Sequence, residues 1–272
     1  MNDARFKSLP EIMHNCRVKV YPDGSQELLV ARENVFRESG WELADKWKPE
    51  TKDDGGGGDE SDSLARAKRR ARAAVRDIAF SNDFTHFVTF TLDASKIDRY
   101  DMNAIVKKLN TWLDNRVRRN GLKYVLVPER HKDGAVHFHG FVNNCLGLFD
   151  SGTVTGGELK KPRKPKSSRE RERLLSSGCH IVYNVTEWRF GFSTAIELYG
   201  NYKSAVGYVC KYISKETEKI GGRWYYSGGA LKRPDVVLTD VDFSQFLSDN
   251  ADTVQTFQRG GLDFAVLTLG GD

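Results

Sequence analysis

The sequence predicts an α+β protein with an antiparallel-rich central sheet and helices packed on one face of it. Three observations predict this class. The elements run strand, helix, two strands, then two more strands and a helix; THFVTFTLD alternates strictly; and MNAIVKKLNTWLDNRVRRN repeats its apolar residues at helical spacing. At 272 residues the chain can bury a core without disulfides. Its 39% hydrophobic and 29% charged residues describe a globular protein with a well-solvated surface. No apolar run approaches the ~18 residues of a membrane span. The start MNDARFKSLPE has no signal-peptide core, so a cytoplasmic protein with no membrane partner is expected.

The elements follow in order. CRVKV, the turn YPDGSQ and ELLVAR read as a hairpin in an appended unit over 1–50. TKDDGGGGDESDS, with four glycines among acids, reads as a linker over 51–63. The main domain is then expected at 64–240, and 241–272 is a tail without a readable pattern. LARAKRRARAAVRDIAF is a helix that crowds Arg66, Lys68, Arg69, Arg70, Arg72 and Arg76 into a few turns. In the next strand Phe87, Thr89 and Thr91 share one face and Val88, Phe90 and Leu92 the other. MNAIVKKLNTWLDNRVRRN closes on Asn120-Gly121, a helix C-terminal cap. KYVLVPER and AVHFHGFVNN pair as strands, and TVTGGELKKPRKPKSSRERER reads as an exposed basic loop. CHIVYNVTEW and RFGFSTAIEL form a second strand pair, NYKSAVGYVCKYISKETEK a helix, and RWYYSGGALKRP a last strand. The net charge of +5 permits a polyanion partner without establishing one. The four scattered cysteines are expected as free thiols.

Chemistry concentrates in two places. In AVHFHGF, His137 and His139 point to one face of a strand while Val136 and Phe138 point to the core, so two imidazoles converge as divalent-metal ligands do. Glu129 joins them only if the hairpin loop has an odd count. A three-residue loop, Lys132-Asp133-Gly134 with Gly134 left-handed, sets Glu129 opposite His137. His131 shares that face as an alternative ligand or supporting group, and Thr89 and Thr91 are further supporting candidates. In GYVCKYISK, Tyr208, Tyr212, Lys211 and Lys215 fall on one helical face, opposite Val206, Val209, Cys210 and Ile213. Taken alone this is an ordinary amphipathic helix. Taken with the histidines it offers a phenol nucleophile flanked by ammonium groups that favour its ionisation.

FVTFTLD, HFHGF and YVCKYISK, in this order, resemble the three motifs of the HUH endonuclease superfamily, the rolling-circle replication initiators. Tyrosines at i and i+4 resemble its two-tyrosine class, and NDFTHFVTFTLD and GGRWYYSGGALKRP are similar to phage and prophage replication-associated proteins. The resemblance covers about 61–235. It implies that His137, His139 and Glu129 hold Mg or Mn, and that Tyr208 or Tyr212 attacks a single-stranded DNA phosphate. The product would be a 5′-phosphotyrosine and a free 3′-hydroxyl, with Lys211 and Lys215 stabilising phosphate charge. GGGGDES lacks the lysine of a phosphate-binding loop, so a host helicase and polymerase are expected partners beside origin DNA. The basic helix and the loop at 158–174 are expected strand contacts. Two other readings stay open: a non-catalytic single-stranded nucleic-acid binder on the same sheet, and a metal-dependent hydrolase in which the tyrosines are structural.

Overall fold

The computed structural model describes residues 12–37 and 60–270. Of the expected linker over 51–63, residues 51–59 lie outside the described residues. The first stretch forms β1 (Met13–His14), β2 (Cys16–Val20), β3 (Gln26–Ala31) and β4 (Phe36–Arg37). Then come α1 (Glu60–Ser81), β5 (His86–Leu92), α2 (Met102–Asn120), β6 (Tyr124–Arg130), β7 (Val136–Val142), β8 (Leu148–Gly156), α3 (Ser168–Ser176), β9 (Cys179–Val185), β10 (Gly191–Glu197), α4 (Tyr202–Lys215) and β11 (Tyr226–Gly228). The last stretch gives β12 (Asp235–Thr239), α5 (Phe243–Asp249), β13 (Gln255–Arg259) and β14 (Leu262–Leu269).

The chain divides into two compact units, one of residues 58–232 and one joining the N-terminal stretch to residues from 233 onward. The larger is an α+β unit on a seven-stranded antiparallel sheet of order β11-β6-β7-β5-β10-β9-β8. Alternation in β5 sends Val88, Phe90 and Leu92 into a core with Ile105, Leu109, Trp112 and Leu113 of α2. Asp101 caps the start of α2 by accepting from Ala104 N at 3.0 Å, and left-handed Gly121 (φ 69°) ends it. Helices occupy both faces, not the one expected. Val125, Val127 and Phe141, which alternate away from the α2 core, pack with Ala71, Val75 and Ile78 of α1 and Val206, Val209 and Ile213 of α4. Both faces of these central strands are therefore apolar enough to hold a helix layer.

The smaller unit corrects two expectations. The hairpin of β2 and β3 is no separate appendage, and the C-terminal tail is not patternless: together they form one five-stranded sheet of order β12-β2-β3-β14-β13. Because Asp235–Thr239 pairs with β2, residues 233–240 belong here rather than to the main domain. Phe243 and Phe246 of α5 close its core over Cys16, Val30, Ala265 and Leu267. The stretch expected as one exposed basic loop is instead strand β8, a short loop and helix α3, whose N-cap Ser167 accepts from Glu170 N at 3.2 Å. The four cysteines carry free thiols. Among the described residues no helix is long and apolar enough to cross a membrane.

Candidate active site

The β6–β7 hairpin has the odd loop. His131 N donates to Ala135 O at 2.8 Å, which leaves Lys132, Asp133 and Gly134 as the loop, and Gly134 is left-handed at φ 84°. Glu129 therefore faces His137, and in the neighbouring strand Thr91 faces His137 and Thr89 faces His139. Both threonines reach the imidazoles: Oγ1 of Thr89 lies 3.1 Å from Nδ1 of His139, and Oγ1 of Thr91 lies 3.4 Å from Nδ1 of His137. Occupying Nδ1 fixes each ring and turns Nε2 toward the face of the sheet.

His139 is 8% exposed, and burial pushes its pKa down to about 4 although the Glu129 carboxylate acts the other way. Burial also lowers the pKa of His137, with the neighbouring His131 second. Glu129 Oε2 stands 3.1 Å from His139 Nε2. The two are nevertheless out of hydrogen-bonding geometry, so that buried nitrogen has no hydrogen-bond partner. A neutral imidazole nitrogen with an unused lone pair beside a carboxylate is what a divalent cation takes, so these residues fit one chemically. As placed, no three His, Cys, Asp or Glu side chains among the described residues are gathered into a complete ligand set, the His137 ring standing 6.2 Å from that of His139.

α4 brings the phenols. Three contacts fix it on α1: Tyr202 Oη donates to Ala79 O at 3.0 Å, Cys210 Sγ to Arg72 O at 3.8 Å, and Lys68 Nζ to Ser214 O at 3.3 Å. Beyond its C-terminus, Glu216 Oε1 accepts from Arg130 N at 2.9 Å, next to Glu129. This placement divides the helical face on which both tyrosines were expected in solvent. Tyr212 is 5% exposed because its ring stacks on His139, 4.3 Å between centroids and 9° between planes, while Tyr208 is 50% exposed. A helical wheel shows Tyr212 at the edge of the apolar stripe but not the imidazole that covers it. Tyr212 Oη donates to Tyr208 Oη at 2.6 Å. Burial, and then that bond, raise the Tyr212 phenol well above its usual range.

The cations separate as well. Lys215 Nζ sits 3.0 Å from Glu129 Oε1 and 4.9 Å from the Tyr212 ring centroid, whereas Lys211 is exposed and makes no ion pair among the described residues. His131 stacks on His137 at 5.2 Å and stands beside Asp133 rather than in the centre of the site. On α1, Arg66, Arg69, Arg70, Arg72 and Arg76 are exposed, while Lys68 is drawn onto α4 and over the Trp224 ring at 5.8 Å. Sequence reasoning missed Phe87, which packs edge-on against Tyr208 at 6.0 Å and lies parallel to His139 at 6.4 Å. The signal was present: it is the one large apolar residue on the threonine face of its strand.

Residues 85–217 match a family model of replication-associated proteins, those of the ORF2 type. The match spans slightly less than half of the chain, yet it takes in every residue of the site from Thr89 to Lys215. It supports a replication-initiator role and an interaction with DNA. Comparisons with curated proteins and with solved structures returned no match.

Proposed function

We propose that the chain nicks and rejoins single-stranded DNA at a replication origin, in the cytoplasm, by tyrosine transesterification. The observation that carries this is the meeting of the Tyr208–Tyr212 pair with His139 and Glu129 on one face of the sheet. Tyr208, whose hydroxyl is the accessible one, attacks the scissile phosphorus: a bond forms from its Oη to phosphorus, the phosphorus–O3′ bond breaks, and the released O3′ takes a proton. Tyr212 Oη, donating to Tyr208 Oη, orients the attacking oxygen and serves the second transfer. Lys215 offsets charge on the phosphate oxygens. His137, His139 and Glu129 would hold a divalent cation, Mg or Mn, which when bound supplies Lewis-acid polarisation of the phosphate. Thr89 and Thr91 keep both imidazoles in the tautomer that leaves Nε2 free. The new 3′-hydroxyl primes synthesis by a host polymerase behind a host helicase.

The test is incubation with labelled single-stranded origin DNA and Mn or Mg, resolved on denaturing gels. A protein–DNA adduct in the wild type that is lost in the Tyr208→Phe, Tyr212→Phe double variant supports transesterification. Cleavage without an adduct in any variant supports hydrolysis instead, and binding without cleavage supports a non-catalytic module.

A further inference from the structure

The sheet face that carries His137 and His139 is roofed over only part of its width. α1 and α4 cover Val125, Val127 and Phe141 on β6 and β7. Beyond β5 the same face opens to solvent, and two large rings stand there: Phe192 on β10 is 71% exposed and Phe149 on β8 is 64% exposed. Register decides which face they occupy. Phe192 faces Thr91, Thr91 faces His137, and His137 faces Glu129, so the four side chains form one row across β10, β5, β7 and β6. At about 4.8 Å per strand, Phe192 lies roughly 10 Å from His137. Phe149 reaches the same face one step at a time. Ala195 faces Tyr183, both on the α2 side, so Asn184 alternates to the other side, and Phe149 faces Asn184.

The surface between the rings is polar, made of Thr89, Thr91, Thr194 and Asn184. Two separate aromatic rings set among hydroxyls and an amide do not make the continuous apolar patch that a protein partner requires. They suit unpaired bases, which stack on any aromatic face while their polar edges stay wetted. A duplex keeps its base faces covered and cannot use them.

We propose that Phe192 and Phe149 form a stacking platform for unpaired nucleotides flanking the phosphate at Tyr208. The link to that phosphate rests on the nicking reading above; the platform itself is tested by binding alone. The full chain carrying Tyr208→Phe and Tyr212→Phe is titrated into fluorescein-labelled oligothymidine and, separately, into a labelled duplex, with anisotropy as the readout. Phe192→Ala and Phe149→Ala are added singly and together, and Phe257→Ala, an exposed ring of the other unit, is the control. Each ring variant is expected to raise the dissociation constant for oligothymidine on the order of tenfold, leaving the salt dependence and duplex binding unchanged. The platform is overturned if the double ring variant binds as the parent does, if Phe257→Ala weakens binding equally, or if the parent does not bind oligothymidine. Adduct formation is measured in parallel with both tyrosines restored. Weakened binding without any adduct keeps the platform and removes nicking; an adduct with ring variants of unchanged affinity does the reverse.

Discussion

The hydroxyl oxygens of Tyr208 and Tyr212 lie 2.6 Å apart, yet one ring is half exposed and the other is buried on the His139 imidazole. Two phenols one helical turn apart are thus chemically unequal. Tyr208→Phe is expected to remove nearly all of the first covalent adduct. Tyr212→Phe should retain adduct formation and lose rejoining, read as release of linear rather than circular product. Equal adduct yields from both single variants would show that the phenols are interchangeable.

Lys215 and Glu129 form an ion pair whose ammonium side is 61% exposed. Such a pair contributes about 0.2–1 kcal/mol to stability. Lys215→Ala is therefore expected to leave the denaturation midpoint almost unchanged while slowing nicking by on the order of a hundredfold, as loss of a charge-stabilising donor does. A large loss of stability with activity intact would place Lys215 in the scaffold.

His139 titrates at about 4 when folded, against its ordinary 6.5. A histidine with a lowered folded pKa is protonated first in the unfolded chain, so its stabilising effect is full above 6.5 and is lost as pH falls toward 4. For the chain in chelator, this costs about 2 kcal/mol between pH 7 and pH 5. Urea denaturation across that range measures it, and His139→Gln should flatten the dependence.

Gly140 has no room for a methyl group: a Cβ there would stand 1.9 Å from Val125 O on β6. Gly140→Ala is expected to cost about 2–3 kcal/mol by forcing β6 and β7 apart, seen as a lower melting temperature. It should also weaken nicking, because the same pairing sets Glu129 against His137.

The exposed arginines of α1 make a prediction of their own. Replacing Arg69 and Arg70 by Ala should reduce the slope of log affinity against log salt for single-stranded DNA by about 1.4. An unchanged slope would assign these charges to solubility.

Much of this architecture is legible in local pattern. Strict alternation places β5, the cap signals place both ends of α2, and the odd loop at Gly134 is enough to put Glu129 opposite His137. β8 was hidden because its register slips between Asp150 and Thr153, which breaks the period of two, and because the lysines and arginines that follow read as solvent-exposed loop. The fate of Tyr212 was hidden for another reason. An angle on a helical wheel ranks faces of one helix, and burial here comes from a histidine on a strand some seventy residues earlier.

The five-stranded sheet of the smaller unit has a consequence for synthesis. β3 finds its second neighbour only in β14, and β2 finds its own in β12, each more than two hundred residues downstream. On the ribosome, the early hairpin must wait with both edges unpaired while the whole larger unit is made and folds. The terminal sheet is therefore the slow, late-closing part of the molecule, and its waiting edges are where a nascent chain is most open to pairing with the wrong partner.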